Sequence, residues 1–124
     1  MDAGQTRRVA LVVEDELFIR DLIVSELAAR GWSVLQSETG EAAVERFRSA
    51  HVDILFTDIQ LAGRMSGWDV ADTLRATRPG LPVIYTSARA ADDSRQVRGA
   101  LFFDKPYDPE AVIDACHALL SEAD

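Results

Sequence analysis

Asp53-Ile-Leu-Phe-Thr-Asp58, followed by Ile-Gln60-Leu-Ala-Gly-Arg-Met-Ser-Gly67, decides how this chain is read. An apolar run without alternation is the pattern of a strand covered on both faces, here Asp53 to Thr57. It ends abruptly in a carboxylate, Asp58, and a glycine-bearing loop follows at once. Open α/β sheets build their sites in this way, at the carboxyl ends of parallel strands.

Working outward, the same alternation of elements recurs. Val9-Ala-Leu-Val-Val13 is a second fully apolar run and stops at Glu14-Asp15-Glu16. From Leu17 to Arg30 apolar residues (Leu17, Phe18 or Ile19, Leu22, Ile23, Leu27) return at helical spacing, and Gly31 is a C-terminal stop. Trp32 to Leu35 is a short strand, and Gly40 to Ser49 a helix with Ala43, Val44 and Phe47 inward. Beyond the central loop, Trp68 to Thr77 is helical and closes at Arg78-Pro79-Gly80. Val83-Ile-Tyr-Thr86 is a strand ending at Ser87, Ala88 to Gly99 is polar enough for at most one weak helix, and Leu101-Phe-Phe103 is the fifth strand. Asp108-Pro109-Glu110 supplies an N-cap, an N1 proline and an acidic first turn to a last helix with Val112, Ile113, Cys116, Leu119 and Leu120 on one stripe. Strand starts near 9, 33, 54, 83 and 101 leave room for a crossover helix in each gap. The expected fold is therefore α/β: a flavodoxin-like, doubly wound sheet of five parallel strands, order 2-1-3-4-5, with about five helices, the fourth short or irregular.

The bounds agree with one small domain spanning residues 1–124, its core at about 8–120. The chain has 124 residues, of which 48% are hydrophobic. A formal net charge of −8 argues against binding nucleic acid or an anionic membrane. One cysteine, Cys116, excludes an internal disulfide and sits on an apolar stripe, which makes it core before redox sensor. With no run of membrane-spanning length and no signal-peptide pattern, the expectation is a cytoplasmic protein, a monomer or weak homodimer.

In a parallel sheet all carboxyl ends share one edge. Glu14 and Asp15, Asp58, Thr86 and Ser87, and Lys105 fall there. Two carboxylates about 4 Å apart repel by roughly 4 kcal/mol at an effective dielectric of ~20, so such a cluster needs a cation. With oxygen donors only, and no Cys or His at ligand spacing, Mg²⁺ suits it better than zinc.

Four separated motifs then carry a resemblance: Val12-Val-Glu-Asp15, Asp58 at a strand end, Pro82-Val-Ile-Tyr-Thr-Ser-Ala88, and Lys105-Pro106. In that order the chain resembles a CheY-like receiver domain of a two-component response regulator, from about Arg8 to Leu120. The resemblance implies Asp58 as phosphoacceptor, with Mg²⁺ held by Glu14, Asp15, Asp58 and the backbone carbonyl of Gln60. It implies Lys105 as the phosphate-pairing ammonium, Ser87 as a switch hydroxyl, Phe102 as the switch aromatic, and Gln60 and Arg89 as residues that tune dephosphorylation. The implied partners are a sensor histidine kinase or phosphotransfer protein and an unidentified downstream protein.

Three features depart from the commonest pattern. The loop after Asp58 is one residue longer and has Ala62 where many relatives have proline. Only seventeen residues separate Ser87 from Lys105. The first acid is Glu14 where Asp is usual. With Tyr85-Thr-Ser87, these features resemble single-domain regulators paired with HWE-class histidine kinases. The alternatives are a phosphate sink, a pseudo-receiver that binds without accepting phosphate, and a haloacid-dehalogenase-type phosphatase. The last wants a second acid two residues after the nucleophile, where this chain has Gln60. As bland readings, Glu14 to Glu16 are a solvated helix cap, Thr86 and Ser87 ordinary strand-end hydroxyls, His51 and His117 surface residues, and Glu16 with Arg20 a helix-face pair. Trp68 is a partly covered aromatic at a helix start.

Overall fold

The computed structural model describes residues 7–88 and 95–123, with side chains placed up to residue 120. Five strands and, among the described residues, four α-helices follow in the order β1 (Val9–Val13), α1 (Leu17–Ala29), β2 (Ser33–Ser37), α2 (Gly40–Ser49), β3 (Ile54–Asp58), α3 (Gly67–Thr77), β4 (Val83–Ser87), β5 (Leu101–Asp104) and α4 (Pro109–Ala123). The strands form one parallel sheet in the order β2-β1-β3-β4-β5, as the element pattern predicts.

The uninterrupted apolar runs are explained by two cores, one on each face. Leu11, Val13, Leu55, Val83 and Tyr85 pack with Ala43, Val70, Ala71 and Leu74 of α2 and α3. The alternate residues Ala10, Val12, Ile54, Phe56 and Ile84 pack with Ile23, Leu27, Val112, Ile113 and Cys116 of α1 and α4. Cys116 is core, and burial pushes its thiol up to about 12. Edge strand β2 begins at Ser33 and runs to Ser37, two residues beyond the expected end. Its residues are only half-covered or exposed up to Gln36, so no apolar run marked its limit.

Local chemistry sets the helix ends. Ser66 caps α3 in a reciprocal box with Asp69, and Thr39 accepts the Ala42 N–H at the start of α2. Asp108 accepts the Glu110 N–H at 3.0 Å before α4. Gly31, at φ 92°, ends α1 in a conformation that disfavours side chains.

In α1 only Ile23 and Leu27 of the apolar series are buried, whereas Leu17, Phe18 and Leu22 are 61%, 75% and 47% exposed. Helical spacing locates a helix but does not say how much of a wide apolar stripe a neighbour covers. Between β4 and β5, residues 89–94 lie outside the described residues, and 95–100 form no α-helix. That stretch is held from α3 and β4: the Tyr85 hydroxyl accepts the Val97 N–H at 3.1 Å, Arg75 donates to the Arg98 carbonyl at 2.8 Å, and Arg95 pairs with Asp72 at 3.0 Å.

The first residue of α3 sits hard against the end of β3. A Cβ on Gly67 would lie 2.2 Å from the Asp58 carbonyl oxygen, and the Gly67 N–H donates to the Ile59 carbonyl at 2.9 Å. Backbone cannot yield as a flexible side chain does. Gly67→Ala is expected to destabilise the chain by about 2–3 kcal/mol, read as a lower urea midpoint at unchanged slope. An unchanged midpoint would contradict this packing.

Candidate functional site

Register brings the polar strand ends together. Val13 lies beside Thr57, Asp58 beside Thr86, and Ser87 beside Asp104, so the residues after β1 and β5 converge on the end of β3. Asp58 continues the Ile54, Phe56 row into the edge and is 4% exposed; Glu14 is fully buried. Lys105 reaches both, with Nζ 2.9 Å from Glu14 Oε1 and 3.1 Å from Asp58 Oδ2. Glu14 Oε2 accepts the Glu16 N–H at 3.1 Å. Asp58 Oδ1 is buried with no hydrogen-bond partner among the described residues.

Asp15 is exposed, and its Oδ2 accepts the Ala62 N–H at 3.1 Å. Carboxylate oxygens of Glu14, Asp15 and Asp58 all lie within 4.8 Å of one another. Three carboxylates facing one ammonium leave the cluster short of positive charge. The donor set is oxygen only, and Asp58 Oδ1 has lone pairs unused, so the residues fit a hard divalent cation.

Burial dominates the electrostatics. Desolvation raises the Asp58 carboxyl above its ordinary 3.8, opposed by the Lys105 charge. Glu14 is raised above 4.5 for the same first reason, opposed by its contact with Lys105 and reinforced by Asp58. Burial alone would lower Lys105, but Glu14 and Asp58 outweigh it and the ammonium is held above 10.5.

The other expected residues take distinct places. Ser87 is fully buried, and its hydroxyl donates to Gln60 Oε1 at 3.0 Å. Phe102 is half-buried on the α2 and α3 face, its ring 6.4 Å from that of Trp68, which also lies 4.6 Å from Tyr85. Trp68 is more buried than a partly covered helix start, at 8% exposure. Arg89 lies outside the described residues. His117 is exposed but stacks on Trp32 and accepts its indole N–H at 3.1 Å. Arg20 donates to Gln36 and to the Glu14 carbonyl, tying α1 to the edge.

The lengthened loop is strapped. Besides the Asp15 contact, Arg64 N–H donates to Glu41 Oε2 at 3.0 Å and Ala62 bridges Thr39. Sequence reasoning passed over Tyr107, two residues after Lys105. Its hydroxyl is buried without a hydrogen-bond partner among the described residues, and desolvation, then Glu14 and Asp58, push its pKa well up. An aromatic directly after Lys105-Pro106 was the available signal.

With this geometry in place, the relatives are informative. Residues 10–117 match the family model of the response regulator receiver domain. The chain is 32% identical over 114 residues to the probable transcriptional regulatory protein TcrX of Mycobacterium tuberculosis, covering 89% of this chain and 48% of that one. It is 36% identical to the sensory transduction protein RegX3 of the same species, covering 89% and 49%. It thus spans about half the length of these curated relatives. The crystal structure of a response regulator receiver protein from Sinorhizobium medicae superposes with a TM-score of 0.91 at 29% identity, over 95% of this chain and 98% of that one. The fold and the acidic edge define a receiver module. The chain belongs to the response regulator receiver domain family, the phosphoryl-accepting modules of two-component systems.

The raised carboxyls have a stability signature. A folded-state pKa above the unfolded value contributes stability at low pH that is lost as pH rises through the folded value. Removing the Asp58 charge should therefore raise stability at neutral pH. In chelator-containing buffer Asp58→Asn is expected to unfold at higher urea than the native chain at pH 7, with the gain vanishing below 3.8, where the carboxyl is neutral in both states. A gain that persisted below that pH, or a loss at pH 7, would place the effect in packing and not in the buried charge.

Proposed function

We propose that Asp58 accepts a phosphoryl group from the phosphohistidine of a sensor kinase or phosphotransfer protein, and that the change is read by a protein partner. The observation that carries this reading is the buried Asp58 carboxylate, paired through one oxygen to Lys105 while the other has no hydrogen-bond partner among the described residues. An ionised carboxylate needs no general base. Its oxygen bonds to phosphorus as the P–N bond of the donor imidazole breaks. Lys105 would pair the charge on the transferred group, and the Ser87 hydroxyl would donate to it. Glu14, Asp15 and Asp58, with the Gln60 carbonyl, would hold Mg²⁺, which supplies charge neutralisation of the phosphoryl oxygens. Arg89 and Gln60 are assigned to tuning water attack on the acyl phosphate. Phe102, stacked beside Trp68, is assigned to follow Ser87 between two conformations.

The exposed Leu17, Phe18 and Leu22 give the donor a place to dock. Phe18, Ile19 and Leu22 line a groove of about 460 Å³ together with Lys105, Pro106 and Tyr107. An apolar surface beside the nucleophile suits a helical, histidine-bearing partner. What supports an HWE-class kinase as that partner is the combination of the lengthened loop after Asp58, the short stretch between Ser87 and Lys105, Glu14 as the first acid and Tyr85-Thr-Ser87. Among the described residues no helix is long and apolar enough to cross a membrane; it is membership of the receiver family that supports a cytoplasmic setting. The reading makes the chain a signalling module, acting on no substrate beyond its own aspartate.

With Mg²⁺ and acetyl phosphate, the intact protein is expected to gain the mass of one phosphoryl group, labile to hydroxylamine and absent from Asp58→Asn. No adduct from either acetyl phosphate or a phosphorylated histidine kinase would leave the pseudo-receiver reading. Phe18→Asp is expected to slow transfer from the protein donor by about tenfold or more, as loss of an interface anchor does, while labelling by acetyl phosphate keeps its rate. Equal slowing with both donors would remove the docking assignment.

A further inference from the structure

The bond between Ser87 and Gln60 uses a proton that phosphate recognition also needs. A serine hydroxyl has one proton to donate. Here it goes to the side-chain carbonyl of Gln60 at 3.0 Å. Ser87 is fully buried at the end of β4, while Gln60 is an exposed residue on the loop leaving β3, two positions after Asp58. The strand end itself is fixed: the Ile59 N–H donates to the Thr86 carbonyl at 2.9 Å and the Lys105 N–H to the Ser87 carbonyl at 2.8 Å. Backbone on both sides of Ser87 is thus held, so a change in the hydroxyl's bond is a matter of side-chain rotation.

We propose that Gln60 is a positioning residue that latches the Ser87 hydroxyl in the resting arrangement, and that phosphorylation of Asp58 exchanges this bond for one to a phosphoryl oxygen. The inference rests on the phosphoacceptor reading of Asp58 for its second half only; the latch itself exists in the resting chain. It gives the Gln60 side chain a role before phosphorylation, in setting how readily the switch hydroxyl turns inward, which is separate from any effect on water attack afterwards. Each phosphoryl-like ligand that recruits Ser87 must first displace the amide, so the latch weakens such ligands by the worth of one partly exposed neutral hydrogen bond.

The test uses Gln60→Met, which keeps the side chain's length and removes the acceptor. Beryllofluoride, a stand-in for the bound phosphoryl group, is titrated with Mg²⁺ into the native chain, Gln60→Met, Ser87→Ala and the double variant by calorimetry. Gln60→Met is expected to bind about two- to tenfold more tightly than the native chain. In the Ser87→Ala background the same change should have less than about a twofold effect, because no hydroxyl is left to release. Equal effects in both backgrounds, or weaker binding by Gln60→Met, would overturn the proposal. A second readout needs no phosphoryl chemistry. In the resting chain the Gln60 side-chain amide resonances are expected to shift in Ser87→Ala. Unmoved resonances would show that the bond is absent, whatever happens at Asp58. A native chain that binds no beryllofluoride while those resonances do shift would refute the phosphoacceptor reading and the exchange step, and keep the latch.

Discussion

Lys105 stands between two buried carboxylates, and the arrangement of the whole carboxyl edge depends on it. Glu14 and Asp58 come from neighbouring strands and are both withdrawn from water. Bringing them together is unfavourable twice over, through desolvation and through mutual repulsion, and one ammonium within 2.9 Å and 3.1 Å offsets only part of that. A chain selected for stability alone would not keep such a cluster, since apolar side chains of similar volume cost less to bury. The cluster therefore carries more negative charge than the protein's own ammonium offsets. Asp15 strengthens this, because it adds a third carboxylate to the cluster from the solvent side.

Parallel pairing makes the cluster possible and also divides it. Alternate residues of each strand face opposite helix layers, so Asp58 extends the row of Ile54 and Phe56 toward α1 and α4. Ser87 extends the row of Val83 and Tyr85 toward α2 and α3, the same layer that holds Phe102 and Trp68. Asp58 and Ser87 therefore belong to different faces of one sheet. A change at Asp58 must cross the strand ends to reach the aromatic cluster. The Gln60 side chain, leaving the loop after β3 and bonded to Ser87, occupies that crossing.

Strand positions were legible because a strand covered on both faces leaves an unbroken apolar run, and β1, β3 and β4 are all of that kind. The site was legible for a related reason: once the strands are parallel, their carboxyl ends lie along one edge, and Glu14, Asp58 and Lys105 had to meet there. The edge strand β2 was less clear, since Gln36 and Ser37 break the pattern while the backbone pairing continues to Ser37 opposite Val13. The exposed face of α1 was hidden because Leu17, Phe18 and Leu22 fit helical spacing as well as Ile23 and Leu27 do. Burial depends on what packs against a helix, and no local pattern states that. Gln60 was read for its backbone and for its distance from the nucleophile. That its amide reaches Ser87 follows from the separation of β3 and β4, which a one-dimensional reading does not contain.

The loop after Asp58 shows the same limit and what lies behind it. An added residue and a missing proline argue for freedom, yet the backbone is held at two points by acids from outside it, Ala62 by Asp15 and Arg64 by Glu41. Gly63, between them, adopts φ 92° and passes close to the Glu41 carboxylate, a conformation and an approach that favour glycine. Restraint moved from the loop's own sequence to its neighbours. The acid that holds Ala62 is also a member of the carboxylate cluster, and a single residue, Leu61, separates that anchor from Gln60. The Asp15 carboxylate and the Gln60 side chain thus hold neighbouring points of one short loop, the first to the acidic cluster and the second to Ser87.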